Sequence, residues 1–452
     1  MTTDKRWTAL FVLCAGMLMI VLDATIVNVA LPSIQTDLHF SQSTLAWVVN
    51  GYLITFGGLL LLAGRLGDLV GRRRMFLVGL TVFTLASVAC GAAQSQAVLI
   101  AARFVQGAGG AMTSAVILGM IVTMFPQPRE QAKAIGVYAF VASAGGSIGL
   151  LVGGVITQAI NWHWIFFVNL PIGIVTGVLS RRLLDGDAGL GLGQGADVAG
   201  AALITSALML GVYAIVKPAP LLGVVSVALL AAFIAREATA SSPLMPLRLF
   251  RSRNVAGANL IQALSVAGMF GMFFLGALYL RRTLHYSALG IGLAFVPTTL
   301  IMGGLSLRYT ERLVTRFGAR STLIPGLVLI AAGMVWFARA PMHASYVVDV
   351  MPAMVLIGLG AGTCFPSLMT LAMSGATPAD AGLASGLVNT TMQVGGALGL
   401  AVLASIGSYH AAFLTAGVLV VFALAVGVFV LEGAPRMRSS SNQGAVAVAE
   451  GS

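Results

Sequence analysis

Fourteen apolar runs, each about twenty residues long, constrain the possible fold of this chain more than any other feature. A helix of about 20 apolar residues crosses a bilayer core of ~30 Å, whereas barrel strands alternate apolar and polar residues, which these runs do not. Only 9% of the residues are charged, against roughly 25% in soluble proteins. The sequence therefore predicts an all-α polytopic membrane protein. Its spans lie near residues 8–31, 45–64, 75–93, 98–123, 134–157, 164–180, 197–216, 220–235, 255–280, 288–307, 321–338, 347–373, 382–406 and 411–431.

Lysine and arginine are distributed unevenly between the segments that join these spans. With the N-terminus placed inside, 20 of the 25 Lys and Arg residues fall in inner segments, four in outer segments and one, Arg103, in a span. Basic residues are enriched in the cytoplasmic loops of membrane proteins, so both termini are predicted to be cytoplasmic. The net charge of +11 then reflects topology, and no nucleic-acid partner is expected.

Glycine residues recur in one register in the two ends of the chain, which indicates an internal repeat. Three groups match in order: Gly71 and Arg73 with Gly318 and Arg320, Gly107 and Gly109 with Gly358 and Gly360, and Gly136, Gly145, Gly146 and Gly149 with Gly386, Gly395, Gly396 and Gly399. We predict two six-helix halves, residues 1–182 and 255–431. Residues 183–254 form an inserted helix pair with flanking cytoplasmic loops, and residues 432–452 a disordered cytoplasmic tail. Similar halves around a central site are typical of secondary transporters.

Four motifs give the chain a resemblance to a known family. They are LDATIVNVALP (Leu22–Pro32), GRLGDLVGRRR (Gly64–Arg74), RFVQGAGGA (Arg103–Ala111) and WHWIFFVNLPIG (Trp162–Gly173). In this order they resemble the major facilitator superfamily, and specifically its fourteen-helix drug:proton antiporters, over nearly the whole chain. The resemblance implies a major facilitator fold and a multidrug or antibiotic exporter.

Asp23 is the strongest candidate for proton coupling because a lone carboxylate inside a membrane span costs ~2.5–3.5 kcal/mol on insertion scales. A carboxyl group removed from water also binds a proton more readily. At 1.5 Å per residue, Asp23 lies ~24 Å from the inner face. Arg103 lies ~8 Å below the outer face on a helix that runs inward, which is about the same depth in a ~30 Å core. The two side chains can therefore pair, and the alternative role is a structural ion pair. In the family, the matching arginine is implicated in proton coupling, which the resemblance extends to Arg103.

The segment between the second and third spans is the second candidate site. Gly64, Gly67 and Gly71 allow a tight turn, and Asp68 can pair with Arg72 or face the positive end of a helix in the other half. In the superfamily, the matching residues latch the cytoplasmic side shut, which the resemblance implies for Gly64, Asp68, Gly71 and Arg72. A topology signal alone is the alternative. The second copy is degenerate, with Glu311 and Thr315 in place of Gly64 and Asp68, so one full latch is expected.

The fifth span carries GGSIGLLVGG, which resembles the antiporter motif of exporters. Gly145, Gly149, Gly153 and Gly154 can bring this helix close to a neighbour, but Leu150 stands where the family usually has proline, and we expect a weaker kink. Polar residues in several spans are predicted to line a substrate cavity: Asn28, Asn50, Tyr52, Gln106, Asn259, Gln262, Asn389 and Gln393.

We therefore predict a monomeric, proton-coupled exporter of small amphiphilic compounds in a bacterial cytoplasmic membrane. The chain has no phosphate-binding GxxxxGK[ST] motif and no metal-ligand cluster such as HExxH, and no cofactor is expected. Two alternatives stay open. One is a proton-coupled uptake symporter for a small nutrient, and the other is a membrane-embedded enzyme, for which no nucleophile constellation is found.

Overall fold

The protein folds into a bundle of α-helices. A computed structural model describes residues 3–186, 189–191, 197–217, 219–240, 243–244, 247–341, 345–374 and 381–432, and these contain no β-strand. The helices are α1 (Thr3–Asp37), α2 (Gln42–Val70), α3 (Arg72–Gly91), α4 (Gln96–Met124), α5 (Pro128–Ala159), α6 (Trp164–Phe167), α7 (Asn169–Leu183), α8 (Val198–Val216), α9 (Pro220–Thr239), α10 (Arg253–Arg282), α11 (Ala288–Arg308), α12 (Thr310–Phe317), α13 (Ala319–Ala338), α14 (Met351–Met373), α15 (Ala381–Ala404) and α16 (Tyr409–Phe429).

The helices agree with the predicted spans, with two local differences. Thirteen segments of the described chain are long and apolar enough to cross a membrane, and the remaining predicted span, residues 134–157, lies in α5. The sixth span is interrupted at Val168, so that α6 and α7 are separate helices. The short helix α12 follows α11 in a segment that the sequence predicts to be a loop. The predicted fold class is confirmed.

The two ends of the chain contain similar sets of helix contacts. Helix α1 packs against α5 and α7, and α10 packs in the same way against α15 and α16. Gly107 of α4 lies against Tyr52 of α2, and the matching Gly358 of α14 lies against Thr298 of α11. Small residues allow such close helix contacts. The exact bounds of the halves stay a prediction, and residues 433–452 of the predicted tail lie outside the described residues.

The halves meet along two seams, α2 with α15 and α5 with α11, and the inserted pair lies over the first. Helix α8 packs against both α2 and α15, with Thr205 close to Gly58 and the rings of Tyr213 and Trp47 6.4 Å apart. Helix α9 packs mainly against α8, and Leu221 on its surface is 74% exposed. The inserted pair thus covers one seam.

The helix ends define two faces of the bundle. We call the face where α1 begins and α16 ends the basic face, because most Lys and Arg residues are near it, and the other the opposite face. At the opposite face, Arg282 Nη2 of α10 donates to Gln35 Oε1 of α1 at 2.8 Å. The Leu289 amide of α11 donates to Gln158 Oε1 of α5 at 3.3 Å. The halves are therefore in contact at the opposite face.

Candidate functional site

A buried ion pair lies in the first half. Asp23 of α1 is 0% exposed and Arg103 of α4 is 1% exposed. The distance from Arg103 Nη1 to Asp23 Oδ2 is 2.6 Å, and Arg103 Nε donates to the Val48 carbonyl of α2 at 2.8 Å. The structure thus brings together the two residues that the sequence places at equal depth. Their role in proton coupling stays a prediction.

Two side-chain amides complete the environment of the carboxylate. Gln106 Nε2 donates to Asp23 Oδ1 at 2.7 Å, and Asn169 Nδ2 of α7 donates to the same oxygen at 3.1 Å. Ser87 Oγ of α3 accepts from Gln106 at 2.8 Å and from Asn169 at 3.3 Å. We call Asp23, Ser87, Arg103, Gln106 and Asn169 the carboxylate network. It connects α1, α3, α4 and α7.

Ser87 and Asn169 are not among the residues predicted from the sequence, and Gln106 is predicted there as a cavity residue. Asn169 is part of the motif WHWIFFVNLPIG, which could have marked it as a candidate site residue. Ser87 is a single hydroxyl in an apolar run, and nothing in the sequence distinguishes it. Gln106 Oε1 also accepts from Arg103 Nη1 at 2.6 Å, so both ends of its amide are engaged. A substrate contact by Gln106 would therefore have to break the network.

Arg103 is enclosed by aromatic rings as well as by polar groups. Its Cζ atom lies 4.4 Å from the centroid of the Tyr52 ring and 5.9 Å from that of Phe166. Such cation–π contacts gain strength where water is excluded. Chemically, proton uptake by Asp23 would remove the charge that compensates Arg103.

Other predicted cavity residues are spread over both halves. Asn28 donates to the Ala24 carbonyl of its own helix, and Asn259 Oδ1 accepts from Thr391 at 3.0 Å. Gln262 is buried and Asn389 is exposed.

Several buried polar atoms lack a hydrogen-bond partner among the described residues. They include both amide atoms of Asn50, Tyr52 Oη and Gln393 Oε1. Gln393 lies at the α2–α15 seam, against Gly57. Unsatisfied buried groups of this kind are candidates for substrate contacts, because burying them unpaired is costly.

Comparison with known proteins decides the family. A family model described as Major Facilitator Superfamily matches residues 13–400. The chain belongs to this superfamily.

Individual relatives and a solved structure agree with the superfamily. The chain is 38% identical to puromycin resistance protein pur8 of Streptomyces alboniger, over 89% of this chain and 82% of the relative. It is also 38% identical to cephamycin export protein CmcT of Amycolatopsis lactamdurans, over 89% of this chain and 85% of the relative. A crystal structure of the nucleoside transporter NupG matches with a TM-score of 0.69 at 11% identity, over 94% of this chain and 100% of that chain. The last match shows the fold alone.

In this major facilitator protein, the predicted latch residues lie at the basic face. Arg72 Nη2 is 2.9 Å from Asp68 Oδ1, and Arg72 Nη1 donates to the Gly119 carbonyl at 3.0 Å. Of the two partners predicted for Asp68, Arg72 and a helix of the other half, the carboxylate pairs with Arg72 in the structure. Gly71 has φ 102°, a conformation that favours glycine.

The segment after α7 also contacts residues 68–72, which carry three of the predicted latch residues and which we call the latch loop. The Leu190 amide donates to the Asp68 carbonyl at 2.9 Å, and the Gly191 amide donates to the Leu69 carbonyl at 3.0 Å. Gly64 has open space around it, with only Ala115 near. In the second copy, Thr315 Oγ1 donates to the Arg312 carbonyl at 3.1 Å.

The glycines of the antiporter motif divide between two neighbours. Gly145, Gly149 and Gly153 lie against α1, whereas Gly154 lies against Leu289 of α11. Helix α5 continues through Leu150 without interruption. Close approach to α1 brings α5 against the helix that carries Asp23, and approach to α11 forms part of a seam.

Proposed function

We propose that this protein exports small amphiphilic organic compounds across a bacterial cytoplasmic membrane in exchange for protons. The printed names of its relatives support this proposal, because they describe resistance to puromycin and export of cephamycin. The basic residues support the orientation: both termini and the basic face are cytoplasmic.

The observation that carries proton coupling is the buried ion pair of Asp23 and Arg103. Burying two charges is unfavourable unless they are paired and hydrogen-bonded, so any event that neutralises one of them changes the energy of the whole bundle. A proton from outside binds Asp23 and converts the carboxylate to a neutral acid. Arg103 then keeps the Val48 and Gln106 contacts but loses its counter-charge. Release of the proton to the cytoplasm restores the pair.

Protonation and deprotonation of Asp23 shift the equilibrium between the two alternating arrangements of the halves. Both Asp23 and Arg103 lie on helices of the first half, and α1 also contacts α10 and α11 of the second half. A change at Asp23 is therefore transmitted directly to the contact between the halves. A transporter whose two states differ in protonation can exchange a proton for substrate in one cycle.

The substrate contacts come from neutral polar groups and soft apolar walls. Asn50, Tyr52, Gln262 and Gln393 supply hydrogen-bonding groups, and Met269 and Phe270 are among the apolar residues that can line the pathway. Asp23 is the one deep carboxylate in the predicted spans. These residues favour neutral or singly charged substrates.

Asp68 and Arg72 serve as the cytoplasmic latch in this proposal. Their ion pair lies at the basic face, whereas the contacts between Gln35 and Arg282 lie at the opposite face. Alternating access requires the two faces to close in turn. The latch keeps the cytoplasmic side closed while the contacts at the opposite face are open.

The experiment is export into inverted membrane vesicles that contain this chain, with puromycin as the first probe. We expect puromycin to accumulate inside the vesicles when their interior is more acidic than the medium, and Asp23→Asn to abolish this accumulation. Asp349→Asn, at the outer end of a span, is the matched control and should transport normally. Gradient-driven loss of a nutrient-like probe in place of accumulation would indicate an uptake symporter. Normal export by Asp23→Asn would refute the coupling role of the ion pair.

A further inference from the structure

A cavity lies at the basic face, and none of its lining residues belongs to the carboxylate network. Its volume is about 340 Å³. Arg6 at the start of α1, Arg72 and Arg73 at the start of α3, the end of α4 and the residues that follow α7 line it. Three guanidinium groups thus face one cavity, and Asp185 is the one carboxylate in its described lining.

Arg72 forms a fixed wall of this cavity. Its guanidinium bonds Asp68, the Gly119 carbonyl and Thr123 Oγ1, with distances between 2.9 and 3.0 Å. A guanidinium has five donors, and these contacts hold its plane in place. Arg72 therefore contributes positive charge without needing to move.

Arg6 is held much less firmly. Its Nη1 is 3.5 Å from Glu130 Oε2 and 3.4 Å from the Met124 carbonyl, which are long distances for charge-assisted bonds. Its Nε is buried and has no hydrogen-bond partner among the described residues. Arg6 thus has donor capacity that an acceptor in the cavity could use.

Arg73 adds a third guanidinium to the lining of the cavity. Its Nη2 donates to the Arg181 carbonyl at the end of α7, at 2.6 Å. Arg6 and Arg73 each contact a carbonyl at the end of a helix, which partly explains why they lie here. These contacts do not explain why three guanidinium groups surround an open volume.

We propose that this cavity binds the phosphate group of an anionic phospholipid in the cytoplasmic leaflet. Guanidinium groups match phosphate oxygens in geometry and charge. Basic pockets between membrane helices on the cytoplasmic side are suited to lipid headgroups. Met120, Met124 and Leu184 also line the cavity and offer apolar contacts to the glycerol part of a lipid, which a free phosphate ion would not need.

The bound headgroup would connect three parts of the first half. Arg6 is on α1, Arg72 and Arg73 begin α3, and Leu184 leads into the segment that pairs with the latch loop. A phosphate shared by these groups would stabilise the latch region without contact with the substrate. The site therefore adds a lipid dependence to the protein and does not rest on the identity of the exported compound.

The test uses the purified full chain in detergent and measures thermal unfolding while phosphatidylglycerol or phosphatidylcholine is added. We expect phosphatidylglycerol to raise the Tm and phosphatidylcholine to leave it unchanged. Arg6→Gln and Arg73→Gln should each weaken the apparent phosphatidylglycerol affinity at least tenfold. Arg74→Gln, which removes an exposed neighbouring arginine, is the matched control and should bind as the native chain does.

Three outcomes would overturn the proposal. One is an equal rise with both lipids, and another is an equal loss of affinity in Arg74→Gln. The third is a rise with inorganic phosphate but not with phosphatidylglycerol, which would assign the cavity to a soluble phosphate. Competition between inorganic phosphate and phosphatidylglycerol, in contrast, would support a site that recognises the phosphate group of the lipid.

Discussion

At the scale of single residues, the Asp23 carboxylate determines the chemistry of the site. Donors from α4 and α7 surround it, and its partner Arg103 is equally buried. In this environment we expect a side chain that differs by one charge to change both stability and transport. The two effects can be separated by removing one charge or both.

We expect Asp23→Asn to destabilise the protein by about 3–5 kcal/mol, because it leaves the Arg103 charge buried without a partner. The double variant Asp23→Asn with Arg103→Gln removes both charges and should unfold at a higher temperature than Asp23→Asn alone. Neither variant should export. Thermal unfolding in detergent measures the first effect and vesicle transport the second. If the double variant is no more stable than Asp23→Asn, the unpaired Arg103 charge is not the cause of the lost stability.

Asn169→Ala should destabilise the protein, because the variant removes one donor to the Asp23 carboxylate. A hydrogen bond to a charged group contributes roughly 1.5–3 kcal/mol, and we expect a loss of stability of this size. Export should fall as well, and thermal unfolding in detergent and vesicle transport measure the two effects. Asn161→Ala, in an exposed loop, is the control and should keep both properties. Unchanged stability and export in Asn169→Ala would show that its bond to Asp23 has no role.

At the scale of secondary-structure elements, the contact between α1 and α5 positions the helix that carries Asp23. Gly149 lies against Thr25 and the Leu22 carbonyl, on either side of Asp23, whereas a side chain at Gly146 would meet nothing within 4 Å. These two glycines are on the same helix and differ only in their surroundings. They therefore form a matched pair of test positions.

We expect Gly149→Ala to cost on the order of 1–3 kcal/mol in stability, because the new methyl group forces α1 and α5 apart. Export should fall as well. Gly146→Ala should keep both properties, and it can gain up to about 1 kcal/mol from helix propensity. Unfolding curves and vesicle transport of the two variants provide the comparison. Equal stability and equal export in the two variants would show that the close approach of α5 to α1 does not matter for the site around Asp23.

The inserted pair depends on an ion pair at its end near the basic face. Burial alone would raise the pKa of the Asp197 carboxyl, but the Gly200 amide at 2.8 Å and the Arg236 guanidinium at 2.6 Å hold that pKa below its usual range. A carboxyl whose pKa is lowered in the folded state stabilises the fold above its unfolded pKa, which is about 3.9. This stabilisation is lost as the pH falls through the lower, folded pKa.

Helices α8 and α9 should therefore loosen below about pH 4. Amide hydrogen exchange of residues 198–239, corrected for intrinsic rates, should show faster opening at pH 3 than at pH 5. Asp197→Asn should remove most of this difference and open faster at both pH values. A native chain that exchanges equally at pH 3 and pH 5 would contradict the role of the ion pair.

At the scale of the whole molecule, the inserted pair α8 and α9 makes the difference between a twelve-helix and a fourteen-helix protein. Helix α8 lies over the α2–α15 seam, whereas α9 has little contact with the rest of the bundle. The α5–α11 seam has no such cover among the described residues. The pair thus makes the two sides of the transporter different.

Reporter fusions test the orientation of the whole chain. Fusions after Arg182 and after Arg253 should both report a cytoplasmic location, and a fusion after Lys217 an external one, because an even number of spans separates the first two positions. Activity of paired reporters on the two sides of the membrane provides the measurement. A cytoplasmic result at Lys217 would mean that α8 and α9 do not span.

The sequence by itself determined the number of spans, the family and the position of Asp23. Span length follows from the thickness of the bilayer, and the cost of a carboxylate in a span is a local property, so both can be read without knowing which helices are neighbours. The depth estimate also placed Arg103 level with Asp23, because a straight helix has a fixed rise per residue.

Only the tertiary structure decided which side chains share the site. Ser87 and Asn169 join Asp23 from helices far apart in the sequence, and no spacing along the chain indicates that contact. The break at Val168 and the position of α8 over one seam also depend on packing between helices. Within a membrane, helix length is fixed by the lipid, but helix neighbours are chosen by the fit of small residues and polar groups on their surfaces.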